Sequence, residues 1–224
     1  MENYFEILQK CSLFHGIIDE NLTTMLNCFG ANVVTYKKKE TILAEGESPK
    51  YIGIVLSGKV QMIQIDYFGN RSIVATITSS ELFGESFACA NIKALPVNII
   101  AAEDTKVMFI DCMRITQSCS NACIFHNQII YNLMKGIATK NLMFHQKIEV
   151  TSKRTTREKL MTYLLLQAKK QNSNQFYISY DRQELADYLE VDRSGLSAEI
   201  SKLKKEGILD SKKNLFILLK DTIS

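Results

Sequence analysis

The chain of 224 residues contains no tryptophan, two prolines and three histidines. So little proline leaves no Pro-rich linker or polyproline arm. No run of 18 apolar residues occurs, which excludes a helix spanning a membrane. The opening Met1-Glu2-Asn3-Tyr4-Phe5-Glu6 is acidic and mixed. A secretory signal needs a basic start and an apolar core, so a cytoplasmic protein is expected. The apolar fraction of 46% and charged fraction of 23% are those of ordinary globular domains. They exclude a disordered tail, a collagen-like fibre or a coiled-coil rod as the whole molecule. The length fits one large domain or two ordinary ones.

Six cysteines are present, Cys11, Cys28, Cys89, Cys112, Cys119 and Cys123, but no Cys-x-x-Cys. Without a secretory signal, and with a chain long enough to bury a core, they are expected as reduced, buried thiols. Cys119 and Cys123 would share one face of a helix. Two ligands make no metal site, and no histidine stands at zinc spacing around them. No metal is expected.

The net charge of +3 is unevenly distributed. Residues 1–150 carry 13 Lys and Arg against 14 Asp and Glu, and residues 151–224 carry 14 against 10. A basic excess in the last third points to a polyanionic partner.

Three textures follow one another. Residues 1–30 read as short helices, with Leu8, Cys11, Leu13 and Phe14 on one apolar face and Leu22, Met25, Leu26 and Phe29 on a second. From 33 to 112 come β-rich runs at Val33-Val34, 52–56, 60–65, 73–77 and 107–110. Turns at Glu45-Gly46-Glu47, Ser57-Gly58, Phe68-Gly69-Asn70 and Phe83-Gly84-Glu85 divide them. Such spacing predicts an antiparallel sandwich or jelly roll. Jelly-roll enzymes hold a metal with His and carboxylate ligands, and residues 33–112 contain no histidine. No enzyme and no catalytic residue is therefore expected.

From 114 to 149 the period becomes helical. Cys123, Asn127, Ile130, Met134, Ile137, Asn141, Phe144 and Ile148 alternate by four and three, a heptad seam with d at Cys123, Ile130, Ile137 and Phe144. Ile129, Leu133 and Leu142 flank the seam, so the helix has two surfaces to bury, and a homodimer is expected. Thr151-Ser152 interrupts the seam, and a further helix is expected from Thr156 to Lys170.

Asp181 and Glu184 form a capping box, followed by a helix with Leu185, Ala186 and Leu189. Asp192 reads as the N-cap of a second helix, Arg193 to Glu206, with Leu196, Ile200 and Leu203 inward. Two short helices joined by a tight turn make a helix-turn-helix. Beyond Gly207, two strands around Lys212-Lys213-Asn214 read as the wing of a winged helix. Arg193, Ser194 and Ser197 would face base edges in the major groove. Lys202, Lys204, Lys205, Lys212 and Lys213 would lie near phosphates.

These parts, in this order, resemble the Crp/Fnr family of bacterial transcription regulators over nearly the whole chain. The resemblance is carried by Arg182-Gln183-Glu184-Leu185-Ala186, Asp192-Arg193-Ser194-Gly195-Leu196-Ser197 and Gly207-Ile208-Leu209. In the roll it is carried by Gly46-Glu47, Leu56-Ser57-Gly58-Lys59-Val60 and Phe83-Gly84-Glu85. It implies an α+β fold with three parts. An effector-sensing double-stranded β-helix, cyclic-nucleotide-binding-like, covers 1–113; a dimerisation helix covers 114–150; a winged helix covers 151–224. It places Arg182, Gln183, Arg193, Ser194, Ser197, Lys202, Lys212 and Lys213 on DNA. The dimer helix would use Ile130, Met134, Ile137, Asn141, Phe144 and Ile148. The effector pocket would lie at Gly84, Glu85, Leu95, Pro96, Leu142 and Met143.

Departures from the family pattern sharpen the expectation. Relatives that bind cyclic AMP follow the Gly-Glu pair with an Arg-Ser pair that holds the cyclic phosphate, and here Leu95-Pro96 stands at that spacing. Their adenine-reading Thr-Ser pair falls at Leu142-Met143. An anionic phosphate without its arginine lacks the charge-assisted bonds that offset desolvation, so cyclic AMP is not the expected effector. This also weighs against a cyclic-nucleotide-binding module without DNA function. The N-terminal cysteine group that holds an iron–sulfur cluster in the oxygen-sensing branch is absent, with only Cys11 and Cys28 near the start. Many relatives carry an arginine after the position of Ser197, where this chain has Ala198, so the half-site should differ. The expectation is a homodimer on pseudo-palindromic double-stranded DNA, gated by an unknown effector, with no cofactor and no membrane. RNA polymerase is a partner if it activates. The alternative is a thiol- or haem-based sensor of the same fold, with Cys119 or Cys123, or with His15, His126 or His145.

Overall fold

The structure, a computed structural model, describes residues 4–116 and 124–219. It divides into two compact units, Met1–Gly69 with Val74–Asn141, and Asn70–Ile73 with Leu142–Ser224.

In the first unit, α1 (Phe5–Lys10), a 3-10 turn (Ser12–Phe14) and α2 (Asp19–Cys28) precede the sheets. The strands are β1 (Asn32–Tyr36), β2 (Thr41–Leu43), β3 (Tyr51–Ser57), β4 (Lys59–Ile65), β5 (Arg71–Thr78) and β6 (Leu82–Phe83). After α3 (Glu85–Cys89) come β7 (Asn98–Ala101), β8 (Thr105–Asp111), α4 (Cys112–Thr116) and the long α5 (Ile124–Thr151). Two four-stranded sheets form, ordered β1-β8-β3-β6 and β2-β7-β4-β5.

The β-rich run Ile52–Leu56 is buried at all five residues. The reason is that β3 has a core on each face. Ile52, Ile54 and Leu56 join Leu8, Leu13, Phe29 and Leu133 in a cluster under the helices. Val55 joins Val60, Ile77, Phe83, Ile99 and Phe109 in the roll interior. These six side chains pack together inside the roll. Gly53 is required here, since a Cβ at that position would lie 2.1 Å from the Phe83 ring.

The sequence reading misses β2, β6, β7, α3 and α4. Each has two to five residues, too few for a period to show. Among the four described cysteines, all free, Cys11 and Cys112 are buried, but Cys28 and Cys89 are exposed. That corrects the expectation of buried thiols. Cys119 and Cys123 lie outside the described residues.

Along α5, one face is buried in the first unit through His126, Ile129, Asn132 and Leu133. Asn132 donates to the carbonyls of Leu13 and His15, both at 2.8 Å, and so pins α5 to the 3-10 turn. His126 packs edge-on to Phe29 and contacts the Arg114 carbonyl at 3.0 Å. The expected d positions are not the open seam. Ile130 and Ile137 are half-buried against the first unit's own core, and Phe144 is half-buried. The exposed stripe is Asn127, Tyr131, Met134, Ala138, Asn141, His145 and Ile148, with Leu142 beside it. The expected a positions, Asn127, Met134, Asn141 and Ile148, keep their place in it, and the d positions move one residue on. Successive residues lie about 100° apart on a helix, so two apolar stripes offset by one residue look alike in sequence. Only packing shows which one the chain uses for its own core.

The second unit holds the end of α5, α6 (Thr156–Gln171), β9 (Gln175–Tyr177), α7 (Arg182–Leu189), α8 (Arg193–Lys205), β10 (Leu209–Lys212) and β11 (Leu215–Leu218). Its sheet is ordered β10-β11-β9. The third strand, β9, is not legible in the sequence because Gln175-Phe176-Tyr177 is too short. Capping boxes start α6 (Thr155 with Glu158) and α7 (Asp181 with Glu184).

Candidate nucleic-acid interface

The geometry of the two helices follows from their caps. The chain leaves α7 through Glu190 in the left-handed conformation, φ 55°, which turns it sharply. Asp192 then accepts from the Gly195 amide at 2.8 Å and starts α8. Hydrogen bonds from the Ser194 hydroxyl and the Gly195 amide hold the Asp192 carboxyl below the usual carboxylate range. A charged cap is favourable at a helix N-terminus. Ala186, fully buried, allows the close approach of the helices, and Leu196, Ile200 and Leu203 fasten α8 to the unit's core.

Arg157 of α6 braces the far end of α8. Its guanidinium forks onto Glu206, with Nη1–Oε1 at 3.1 Å and Nη2–Oε2 at 2.5 Å, and Glu199 lies 3.6 Å away. A bidentate pair fixes orientation as well as contact. Sequence reasoning missed this brace because the partners are 49 positions apart.

The outward surface of α8 is unusual in its short side chains. Arg193, Ser194, Gly195, Ala198, Ser201 and Lys202 are exposed, and Ser197 is half-buried. The hydroxyls of Ser197 and Ser201 donate to the carbonyls one turn back, both at 2.9 Å. They thus present oxygen lone pairs outward and cost the backbone no bond. A helix this smooth can sit deep in a groove, with Arg193 at its start and the exposed Lys202 and Lys205 toward its end. Lys212 and Lys213 are exposed at the turn between β10 and β11.

Three residues among those expected near DNA also have partners within the unit. Lys204 pairs with Asp210 at 2.7 Å and donates to the Ser211 carbonyl at 2.9 Å, which joins α8 to the wing. Arg182 is half-buried, its guanidinium 5.6 Å from the centre of the Phe216 ring, and burial lowers its pKa. Gln183, although exposed, donates to Asp187 at 2.8 Å.

Of the expected effector residues, Gly84, Glu85 and Leu95 are engaged within the first unit. Gly84, φ 77°, leads into α3. Glu85 is 2% exposed and pairs with Lys140 of α5 at 2.7 Å. Lys140 also donates to the Leu82 carbonyl. Leu95 is buried and bonded to the preceding turn, from its amide to the Glu47 carbonyl at 2.8 Å and from the Gly46 amide to its carbonyl at 2.9 Å. Pro96 is exposed. Leu142 and Met143 are exposed on α5. Among the described residues no group of three or more His, Cys, Asp or Glu could hold a metal ion, and no helix is long and apolar enough to cross a membrane.

Residues 33–121 match the cyclic nucleotide-binding domain family, and residues 158–222 match the Crp-like helix-turn-helix domain family. The chain is 24% identical over 180 residues to the transcriptional activator protein FnrA of Stutzerimonas stutzeri, covering 78% of this chain and 71% of that protein. Among solved structures it is similar to the c-di-GMP responsive global regulator CLP of Xanthomonas campestris. That likeness has a TM-score of 0.71 at 16% identity, over 88% of this chain and 98% of the other. It is also similar to FixK2 of Bradyrhizobium japonicum, with a TM-score of 0.65 at 21% identity, over 85% and 93%.

Proposed function

Since the chain belongs to the Crp/Fnr family of transcription regulators, we propose that it works as a homodimer reading a pseudo-palindromic DNA site. Two copies would pair along the exposed stripe of α5, and each would place α8 in a major groove one turn of DNA apart. The carrying observation is the face of α8, where short side chains flank an exposed Arg193 and the exposed Lys202, Lys212 and Lys213 stand ready for phosphates. Arg193 would read guanine through two donors. With Ala198 beside Ser197, one long side chain fewer reaches the bases, so the half-site depends on Arg193 and on groove shape. If the protein activates, RNA polymerase is its further partner.

The β-roll gates this dimer without cyclic AMP. Three observations support that reading: an interior in which Val55, Met62, Ile77, Phe83 and Phe109 pack together, a Glu85 carboxylate taken up by Lys140, and a hydrophobic Leu95 in place of a phosphate-binding cation.

Selection from a random DNA pool by the effector-free, reduced protein at moderate salt tests the proposal. A palindromic consensus with two half-sites is the expected result. A purified dimer that enriches no sequence, reduced or oxidised and with any metabolite tried, would sink it.

A further inference from the structure

Cys89 closes α3, and Cys112 opens α4 directly after β8. Their sulfur atoms are 3.3 Å apart and share a hydrogen bond. Cys89 is exposed and Cys112 is buried. A disulfide bond measures about 2.05 Å, so closing the pair requires a displacement of only about 1.3 Å. Beside it lies an open cleft of about 280 Å³ lined by Lys50, Tyr51, Ala88, Asp111 and Cys112 among others, large enough for a small oxidant. Neither thiol takes part in the DNA-facing surface. One turn before Cys89 on the same short helix stands Glu85, which holds Lys140 of α5.

We infer that Cys89 and Cys112 are a modification site, closed to an intramolecular disulfide by a hydroperoxide, and that closure shifts α3 and the Glu85–Lys140 contact with α5. Cys89 attacks first. It is the exposed residue of the pair, and the hydrogen bond from Cys112 holds its pKa below the ordinary thiol value, against the opposing effects of burial and Glu85. The same bond, with burial, pushes the Cys112 thiol up. The Cys89 thiolate takes the terminal oxygen of the hydroperoxide. An S–O bond forms, the O–O bond breaks, and the departing alkoxide takes up a proton. Cys112 sulfur then attacks Cys89 sulfur. The S–S bond forms, and the S–O bond breaks as hydroxide leaves with the Cys112 proton as water. The two thiols lose two electrons, and the hydroperoxide is reduced to an alcohol and water. A thiol donor reverses the change by exchange.

The regulatory meaning of the pair rests on the DNA-binding reading above, whereas its chemistry does not. The test treats the reduced full-length chain with hydrogen peroxide, blocks remaining thiols by alkylation and maps the peptides. Hydrogen exchange is followed in α3 and around Lys140. The expected product is a Cys89–Cys112 link, lost on adding dithiothreitol, with altered exchange in both segments. C89S should form no link, and C112S should carry a Cys89 sulfenic acid that dimedone traps. A Cys89 that pairs with another cysteine, stays reduced while others oxidise, or closes on Cys112 without any change in exchange would overturn the inference. A chain that forms the link but selects no DNA in either redox state would overturn the DNA-binding proposal and leave the thiol pair standing.

Discussion

Replacing Lys140 by methionine isolates the contact that joins α3 to α5. Glu85 is 2% exposed, Lys140 lies 2.7 Å from its Oε1, and its Oε2 has no hydrogen-bond partner. K140M therefore strands a buried carboxylate, and breaking such a pair from one side costs about 3–5 kcal/mol. E85Q is gentler. Lys140 keeps its bond to the Leu82 carbonyl, and its side chain, 26% exposed, reaches solvent, so the loss should be near that of one hydrogen bond, about 1–2 kcal/mol. The double variant removes both charges and should recover to within about 1 kcal/mol of the parent, because replacing a buried ion pair by neutral groups is often without net cost. The cycle then yields a coupling of at least about 3 kcal/mol, at or beyond the upper end usual for contacting residues. Urea unfolding followed by far-ultraviolet circular dichroism measures the three differences, and hydrogen exchange in the β-roll assigns them to the first unit. Additive single losses, or a K140M protein within about 1 kcal/mol of the parent, would refute the argument that Glu85 is a buried charge held by Lys140 and therefore unavailable to a ligand.

Three further outcomes can be checked directly. R193A should cost about 1–3 kcal/mol of discrimination at one base pair of each half-site, while K212A should weaken all sequences alike and lower the salt slope by about one; binding titrations at several salt concentrations separate the two. Glutamate at Met134, 61% exposed, should shift sedimentation from dimer to monomer without lowering monomer stability, whereas glutamate at half-buried Ile137 should destabilise the first unit itself. Burial holds Lys147 at a pKa of about 8, even though Glu190 works to raise it. Because the folded value is lowered, the unfolded chain binds more protons between about pH 8 and the ordinary lysine value near 10.4. The free energy of unfolding should therefore rise across that window relative to K147M, and denaturant titrations showing the two proteins in parallel would contradict it.

The winged helix is the part most open to reading in sequence, and its signals are local. Asp181 with Glu184, Asp192 before Arg193, and Lys213-Asn214 between two apolar runs each act within four residues. The third strand, β9, escapes because its three residues show no period. Distance along the chain hides Arg157 on Glu206 and Lys140 on Glu85. The pairing of Lys204 with Asp210 is likewise a contact that the helix pattern does not show.

By itself the sequence determined the order of parts, the element types wherever a period or cap runs long enough, and the face of α8 turned away from the core. These depend on side chains within a few residues of one another, where propensity and spacing act directly. Tertiary structure alone decided which apolar stripe of α5 stays open, that Val55, Phe83 and Phe109 pack inside the roll, and that Cys89 meets Cys112 across 23 positions. Each of those depends on which surfaces meet once the chain has closed on itself, and burial, unlike helical period, is a property of the neighbours a residue acquires.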